Sequence, residues 1–250
     1  MAEPSHPLRR STDHPIGNGA TGAGPNGAAP GESEAVVASR RVQLRGNFRE
    51  ELNALEASAL GGFDMVIEQL DRVATALETQ DAGLASFIVA DDDRLDGRYL
   101  EVNQGILSLL ARQAPVAGDL RLVAALLHLI KHVERMGDQC ANIAKFVPLV
   151  GEDAPRQMEV VVRLVEMGRL VRSEVVQARQ AFELRDVALA RNVEELDQQV
   201  NVLNREIFRF AIDLGTDADE REWLLTMAMV ARAFERIGDN AVDIGELVSL

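Results

Sequence analysis

The sequence has very little cysteine, few aromatic residues and no long uncharged apolar run. Its single cysteine, Cys140, excludes an intramolecular disulfide, and no run of roughly 18 uncharged apolar residues predicts a transmembrane or signal-type segment. Aromatic residues make up 4% of the chain, whereas the strands of sandwiches and barrels are rich in aromatic and β-branched residues. These absences predict a helical protein that stays in the cytoplasm and does not insert into membranes.

Positive charge is also scarce, because the formal net charge is −14 at pH 7. Binding to nucleic acid or to an anionic membrane surface needs a positive field, so both partners are excluded as general ligands. Cations and basic partner surfaces fit this charge better. Apolar residues account for 47% of the sequence, which is enough for a sizeable core. Cys140 lies on the apolar side of its predicted helix and is interpreted as a buried structural residue.

The chain divides into a tail and a long helical region. Residues 1–31 contain five of the eight prolines and show no apolar periodicity, so we predict a disordered tail over residues 1–40. From Arg41 onward, apolar residues recur at helical spacing and predict six long helices. Five clusters of turn residues separate them, at 78–83, 112–119, 147–155, 183–186 and 213–220. Each cluster holds an acid that suits the start of the next helix: Asp81, Asp119, Asp153, Asp186 and Asp217.

The helical region repeats itself. Residues 114–147 align without a gap on residues 215–248, a shift of 101, and both segments contain the motif E-R-x-G-D. The preceding helices align at a shift of 105, with residues 76–85 on residues 181–190. The expected fold is therefore all-α, with two pseudo-symmetric antiparallel three-helix bundles, one over residues 41–149 and one over residues 150–250.

Pairs of acids stand one helical turn apart in the first repeat. Glu134 and Asp138 lie at the margin of the apolar stripe of the third helix, and Asp92 and Asp96 share a face of the second. If these two helices pack antiparallel, the four side chains converge, and a hard cation would relieve the repulsion between them. The structural alternative is that Glu134 pairs with a nearby lysine or arginine and Asp92 lies on a solvated acidic face.

The second repeat offers Asp197, Asn201, Glu235 and Asp239 at the corresponding positions, with one negative charge fewer. We therefore expect its site to be weaker or differently filled. Carboxylate-only ligation suits Mg, Ca, Mn, iron or Zn, and the residues themselves do not choose among these metals. Recurrence of the acids in register favours the metal interpretation over the structural one.

Motifs typical of other functions are missing. The sequence has no Walker A loop, no G-x-G-x-x-G, no paired cysteines and no Glu-x-x-His of the ferritin-like di-iron proteins. On a helix, His128 and His132 point away from the acid pair, so both are interpreted as surface histidines. For Arg135 and Arg236 we expect intrahelical or interhelical ion pairs. No catalytic residue is predicted, and the chain is not expected to be an enzyme.

The doubled "ER-[MI]-GD", preceded in each copy by "D-x-x-[LV]-[DN]", resembles the PhoU family of regulators of phosphate-specific transport over roughly residues 45 to 250. The resemblance implies a protein built from two three-helix bundles. Proteins of this family often form dimers, and they bind metal clusters through E/D-x-x-x-D motifs. On this sequence those motifs fall on the eight positions above, with Asn201 where an acid often stands. Multinuclear iron is the metal that the resemblance puts first.

The resemblance also implies a cytoplasmic regulatory adaptor. Such a protein would connect the ATPase subunit of a phosphate ABC transporter to a sensor histidine kinase and repress the phosphate regulon when phosphate is plentiful. Two alternatives stay open from the residues alone. One is a metalloenzyme that uses its carboxylate clusters for hydrolysis or redox chemistry, and the other is a structural helical dimer whose acids are only solvated.

Overall fold

A computed structural model of the chain describes residues 34–150, 157–213 and 216–249, and these residues form helices without any strand. The predicted all-α class is confirmed. Six long helices follow one another: α1 (Glu34–Thr79), α2 (Ala82–Arg112), α3 (Ala117–Phe146), α4 (Met158–Leu184), α5 (Val187–Asp213) and α6 (Ala218–Leu247). A short 3-10 turn, Val147–Val150, continues α3. Over the described residues, no helix is both long and apolar enough to span a bilayer.

The chain separates into two compact units, residues 1–45 and residues 46–250. The described part of the first unit is the beginning of α1, which starts at Glu34 instead of near Arg41. The stretch from Glu34 to Arg40 contains no proline or glycine, and an acid in the first turn interacts favourably with the helix dipole, so the helix extends further than periodicity alone predicted. The remainder of the predicted disordered tail, residues 1–33, lies outside the described residues.

Helix starts follow the predicted acids. Asp119 stands in the first turn of α3, and Asp153 lies outside the described residues. The other three carboxylates accept hydrogen bonds from backbone N–H groups of the helices that they begin: Asp81 from Leu84 at 2.9 Å, Asp186 from Ala188 at 2.8 Å and Asp217 from Glu220 at 2.8 Å. For α2, α3, α5 and α6 the turn signals gave correct helix starts, because a capping carboxylate accepts from a backbone N–H two or three residues further along the chain.

We expect Asp217→Ala to lower the free energy of unfolding by about 1 kcal/mol, the usual cost of losing an N-cap acceptor. The substitution leaves the backbone N–H of Glu220 without its acceptor at the start of α6. Urea denaturation of both proteins measures the difference. The control is Asp219→Ala in the same turn, which removes an exposed acid and leaves the cap in place. Equal losses in the two variants would contradict a specific capping role.

The two predicted repeats correspond to α1 to α3 and to α4 to α6. Helices α3 and α6 have 30 residues each, and both of their ends differ by the shift of 101. Helices α2 and α5 start at the shift of 105, but α2 has 31 residues and α5 has 27. The four-residue difference between the shifts of 105 and 101 is thus one extra helical turn at the end of α2. The predicted domain boundary at residue 149 stays a prediction.

The core runs along the inner faces of all six helices, and α3 packs against α6 to join the repeats. Glycine allows close approach at Gly62 in α1, where an added Cβ would lie 2.9 Å from Val133 Cγ1 of α3. The glycine therefore marks close packing of α1 against α3. This packing brings the third helix of each repeat against the first and second, where the acids lie.

Candidate metal centres

The first group of acids lies where α2 packs against α3. Asp96 of α2 and Glu134 and Asp138 of α3 each offer a carboxylate oxygen, and these three oxygens lie within 4.8 Å of one another. The two acids of each pair, Asp92 with Asp96 and Glu134 with Asp138, are four residues apart. Each pair therefore lies on one face of its helix, and the two faces are turned toward each other. We define the first centre as these three residues together with Asp92.

Asp92 lies deeper than its partner on α2, beside Gly137. A Cβ added to Gly137 would lie 2.1 Å from Leu95 Cδ2, 3.3 Å from Gln69 Oε1 and 3.4 Å from Asp92 Oδ1. A side chain at this position would therefore displace the groups around it. The glycine of the E-R-x-G-D motif leaves room beside the acids. It lies inside a regular α-helix, so glycine is needed here to avoid a side-chain clash.

Burial and mutual repulsion raise the pKa values of two acids of this centre, Asp92 and Asp138. Burial, followed by the charges of Asp138 and Asp96, raises the pKa of Asp92 to about 6. The pKa of Asp138 is also raised, mainly by burial and then by the negative charges of Glu134 and Asp96. Raised pKa values of Asp92 and Asp138 are what repulsion among converging carboxylates produces, and a bound positive ion would favour their ionisation.

Lysines partly offset this repulsion. Lys131 Nζ donates to Glu134 Oε2 at 2.7 Å, and the ion pair is one that the structural alternative expected. The charges of Lys131 and Lys145 lower the pKa of Asp138, although the acids around it raise that pKa more. Glu134 thus belongs both to an ion pair and to the convergent carboxylate group, so the two interpretations of this residue do not exclude each other.

The second group of acids occupies the same place between α5 and α6. Asn201 Nδ2 donates to Asp197 Oδ2 at 2.6 Å, so the amide holds this carboxylate in position. Arg232 donates to Glu235, and the pair repeats Lys131 and Glu134 at the shift of 101. Burial, and then the negative charge of Asp239, raises the pKa values of Asp197 and Glu235. Burial is the main cause of the raised pKa of Asp239.

Each centre also contains a residue from the first helix of its repeat, which the sequence analysis missed. These residues are Gln69 of α1, with 1% of its surface exposed, and Glu174 of α4, with none. They correspond at the shift of 105 that relates α2 to α5, so extending the alignment back along α1 and α4 would have paired them. A lone polar residue in an amphipathic helix shows no period of its own, and this is why it escaped notice.

Glu174 adds a carboxyl group to the acids of the second repeat. With Glu174, Asp197, Glu235 and Asp239, this repeat contributes four carboxyl groups, as the first repeat does. Burial, and then the charges of Asp197 and Asp239, raises the pKa of Glu174 to about 9. The sequence analysis counted only the acids of the second and third helices, so it did not include this carboxyl group. We define the second centre as these four acids and Asn201.

Unpartnered buried atoms collect at the two centres. Within the described residues, Glu174 Oε1 and Oε2, Asp197 Oδ1 and Glu235 Oε2 are buried and have no hydrogen-bond partner, and neither have both polar atoms of Gln69. Such groups are costly to bury alone, and oxygen donors of this kind are the preferred ligands of hard cations. The donor sets therefore fit a metal ion chemically. Asp92, Asp96, Glu134 and Asp138 would hold it in the first centre, and Asp197, Asn201, Glu235 and Asp239 in the second, where Glu174 lies beside them.

Two other predictions for the site are corrected, and one agrees with the structure. His128 is exposed, but His132 is partly buried between the repeats, where Nδ1 lies 2.9 Å from Asn240 Oδ1 of α6. A helix-wheel argument could not anticipate this contact, because it depends on the packing of α3 against α6. Within the described part of the chain, Arg135 and Arg236 make no ion pair as close as 4.0 Å, although the charge of Arg236 lowers the pKa of Asp239. Cys140 is fully buried as predicted, and burial raises its pKa.

Comparison with known proteins agrees with the duplicated architecture. The family model described as the PhoU domain matches residues 62–147 and again residues 164–248. A protein from Caulobacter vibrioides named phosphate-specific transport system accessory protein PhoU homolog is 32% identical over 209 residues, covering 81% of this chain and 88% of its own. A homolog of the same name from Zymomonas mobilis is 31% identical over 204 residues, covering 80% of this chain and 84% of its own.

Solved structures show the same fold. The crystal structure of PhoU from Pseudomonas aeruginosa superimposes with a TM-score of 0.73 at 28% identity, covering 80% of this chain and 96% of that one. The PhoU structure from Streptococcus pneumoniae, titled a phosphate transport system regulatory protein, gives a TM-score of 0.69 at 27% identity over 80% of this chain and 94% of that one.

Proposed function

This chain belongs to the PhoU family, and from that premise we propose that it is a regulatory accessory protein of phosphate-specific transport, and not an enzyme. In this role it acts in the cytoplasm, represses the phosphate regulon when phosphate is plentiful, and couples the ATPase subunit of the transporter to a sensor histidine kinase. The names of the relatives support the accessory role, since they are called accessory or regulatory proteins of phosphate transport.

We further propose that both centres hold metal through their carboxylates, with multinuclear iron as the first candidate. The observation that carries this proposal is the recurrence of convergent acids in both repeats. Oxygens of Asp96, Glu134 and Asp138 lie within 4.8 Å of one another. In the second repeat, Asp197 and Glu235 each have a buried oxygen that has no hydrogen-bond partner among the described residues. Bound metal would neutralise the repulsion between the carboxylates and hold the helices of each repeat together.

The helical surface supports docking by partners. Apolar side chains stand exposed on α5 and α6, among them Ile212 at 80% and Leu225 at 59%. Amphipathic helices of a partner bind to surfaces of this kind through spaced apolar anchors. We propose that such faces serve the transporter subunit, the kinase or a second copy of this chain in a homodimer. Sedimentation of the purified protein tests the dimer, which predicts the mass of two chains.

Elemental analysis of protein purified without chelators tests the metal proposal. We expect roughly one or more metal ions per chain, and a lower content in the variant Glu134→Gln with Asp138→Asn, which removes two donors of the first centre. The matched control is Glu194→Gln with Glu195→Gln, two exposed acids of α5. A metal content below about 0.1 per chain in the wild type would refute the proposal.

Deletion of the gene tests the regulatory role. Without the protein, we expect alkaline-phosphatase-type genes of the host to stay expressed in high phosphate, because the signal of phosphate sufficiency no longer reaches the kinase. Complementation with the wild-type chain should restore repression. Repression that is unchanged by the deletion would count against this role, whatever the metal content of the protein.

A further inference from the structure

The most unusual buried group of the chain is the carboxyl of Glu174. Its side chain is fully buried in α4, and within the described residues neither oxygen has a hydrogen-bond partner. A carboxyl in this condition costs considerable free energy unless something else compensates it. Gln69, the equivalent residue of the first repeat, is a neutral amide. The two repeats therefore differ in chemistry at the position where the first helix reaches the acids.

The carboxyl of Glu174 is directed at the second centre. A Cβ added to Gly238 would lie 2.6 Å from Glu174 Oε2 and 3.0 Å from Asp197 Oδ1, so these two oxygens approach the same point. Gly238 is the glycine of the second E-R-x-G-D motif, and its missing side chain leaves the space that the two oxygens share. Asp239 is close enough for its charge to act on Glu174. Three helices thus contribute acids to one small volume.

We propose that Glu174 is a ligand of the metal in the second centre and that it makes this centre the tighter of the two. This inference rests on the proposed metal function. On binding the metal, Glu174 releases its proton to solvent and adds a carboxylate from α4 to the donors of α5 and α6, whereas Gln69 adds no charge to the first centre. The ranking is the opposite of the one that the E/D-x-x-x-D pairs alone predict, since Asn201 leaves the second repeat with fewer acids in those pairs.

The physical reason for the ranking is hydration. Four unpartnered buried oxygens belong to Glu174, Asp197 and Glu235, so folding has already removed water from them. A cation that enters the second centre need not strip water from these ligands again, and preorganised ligands bind more tightly. Each centre has one exposed acid, Asp96 in the first and Asp239 in the second, so the contrast lies in the deeper ligands. Glu134 keeps 15% of its side chain accessible and must lose water on binding, whereas Glu174 is fully buried.

Titration of chelator-stripped protein with Mn²⁺ tests this inference, with electron paramagnetic resonance reporting free ion. We expect two classes of site in the wild type. Glu174→Gln should weaken the tight class roughly 10- to 100-fold or more, the range that loss of even a supporting group can cause. Glu134→Gln with Asp138→Asn should instead weaken the other class. Circular dichroism confirms that each variant is folded.

The reciprocal variant Gln69→Glu provides an independent arm. It gives the first centre the carboxylate that the second has, so we expect the weak class to tighten by roughly tenfold or more. Two classes in the wild type with both dissociation constants unchanged in Glu174→Gln would overturn this inference and leave the metal function standing. A wild-type protein that takes up no Mn²⁺, Fe²⁺ or Zn²⁺ would overturn both.

Discussion

Glu174→Gln is expected to make the metal-free protein more stable at neutral pH and to flatten the dependence of its stability on pH. Burial raises the pKa of Glu174 from 4.5 to about 9 in the folded protein. The folded chain therefore keeps a proton that the unfolded chain releases above pH 4.5, and stability falls as pH rises from 4.5 toward 9. Below pH 4.5 the carboxyl is protonated in both states, and the stabilising effect of the higher pKa is fully present.

The size of the effect follows from the same pKa values. Between pH 4.5 and 7, this one carboxyl lowers the free energy of unfolding by roughly 3 kcal/mol, an order-of-magnitude figure from about 1.4 kcal/mol per pH unit. A glutamine in its place has no proton to lose, so the variant should lack this part of the decline. Guanidinium denaturation of chelator-treated protein at several pH values measures it.

A matched control separates burial from loss of charge. Glu166→Gln makes the same chemical change on the same helix, but Glu166 is exposed to solvent. We expect this control to keep the pH profile of the wild type, because its carboxylate stays in water in both states. Parallel profiles of the wild type and Glu174→Gln across the whole window would show that Glu174 does not hold its proton in the folded protein.

Phe234→Ala should cost the protein about 3–5 kcal/mol of stability, the usual range for removing a buried phenylalanine ring. Phe234 is 1% exposed and belongs to the core between α4 and α6. Its ring fills the space beside Gly168, since a Cβ on that glycine would lie 3.2 Å from Phe234 Cζ. Neighbouring helices cannot close such a gap without moving, so a cavity remains and its surroundings lose contacts.

Chemical denaturation in the presence of chelator checks this value, because bound metal would otherwise add its own contribution. Phe208→Ala is the matched control on α5, where the ring is 39% exposed. We expect a loss well below that of Phe234→Ala, since water already reaches this ring in the folded protein. Losses of equal size in both variants would mean that the ring of Phe234 is not the packing element described here.

Much of the fold was predictable from residues near one another in the chain. Apolar spacing indicated the helices, and acids such as Asp81 and Asp217 indicated where helices begin, because each carboxylate meets an N–H three residues away. Gapless alignment of the E-R-x-G-D segments revealed the duplication. The main local error was the start of α1, where residues before Arg41 continue the helix although their apolar pattern is weak.

The candidate site was predictable only in part. Glu134 and Asp138 stand on one helix face because of their spacing, so their pairing needed no knowledge of the fold. Gln69, Glu174 and His132 had no such pattern. Each contacts or faces a helix that is distant in the sequence, and only the packing of helices places it there.

The sequence by itself determined six helices, their duplication and the pairing of acids along a helix, since all of these depend on short-range spacing that repeats. Only the tertiary structure decided which acids meet and how deeply they are buried. The fully buried Glu174 and the exposed Asp96 are both acids in amphipathic helices, and the difference between them comes from what packs over each one. Burial is a property of several helices together, and in this chain it distinguishes the two centres.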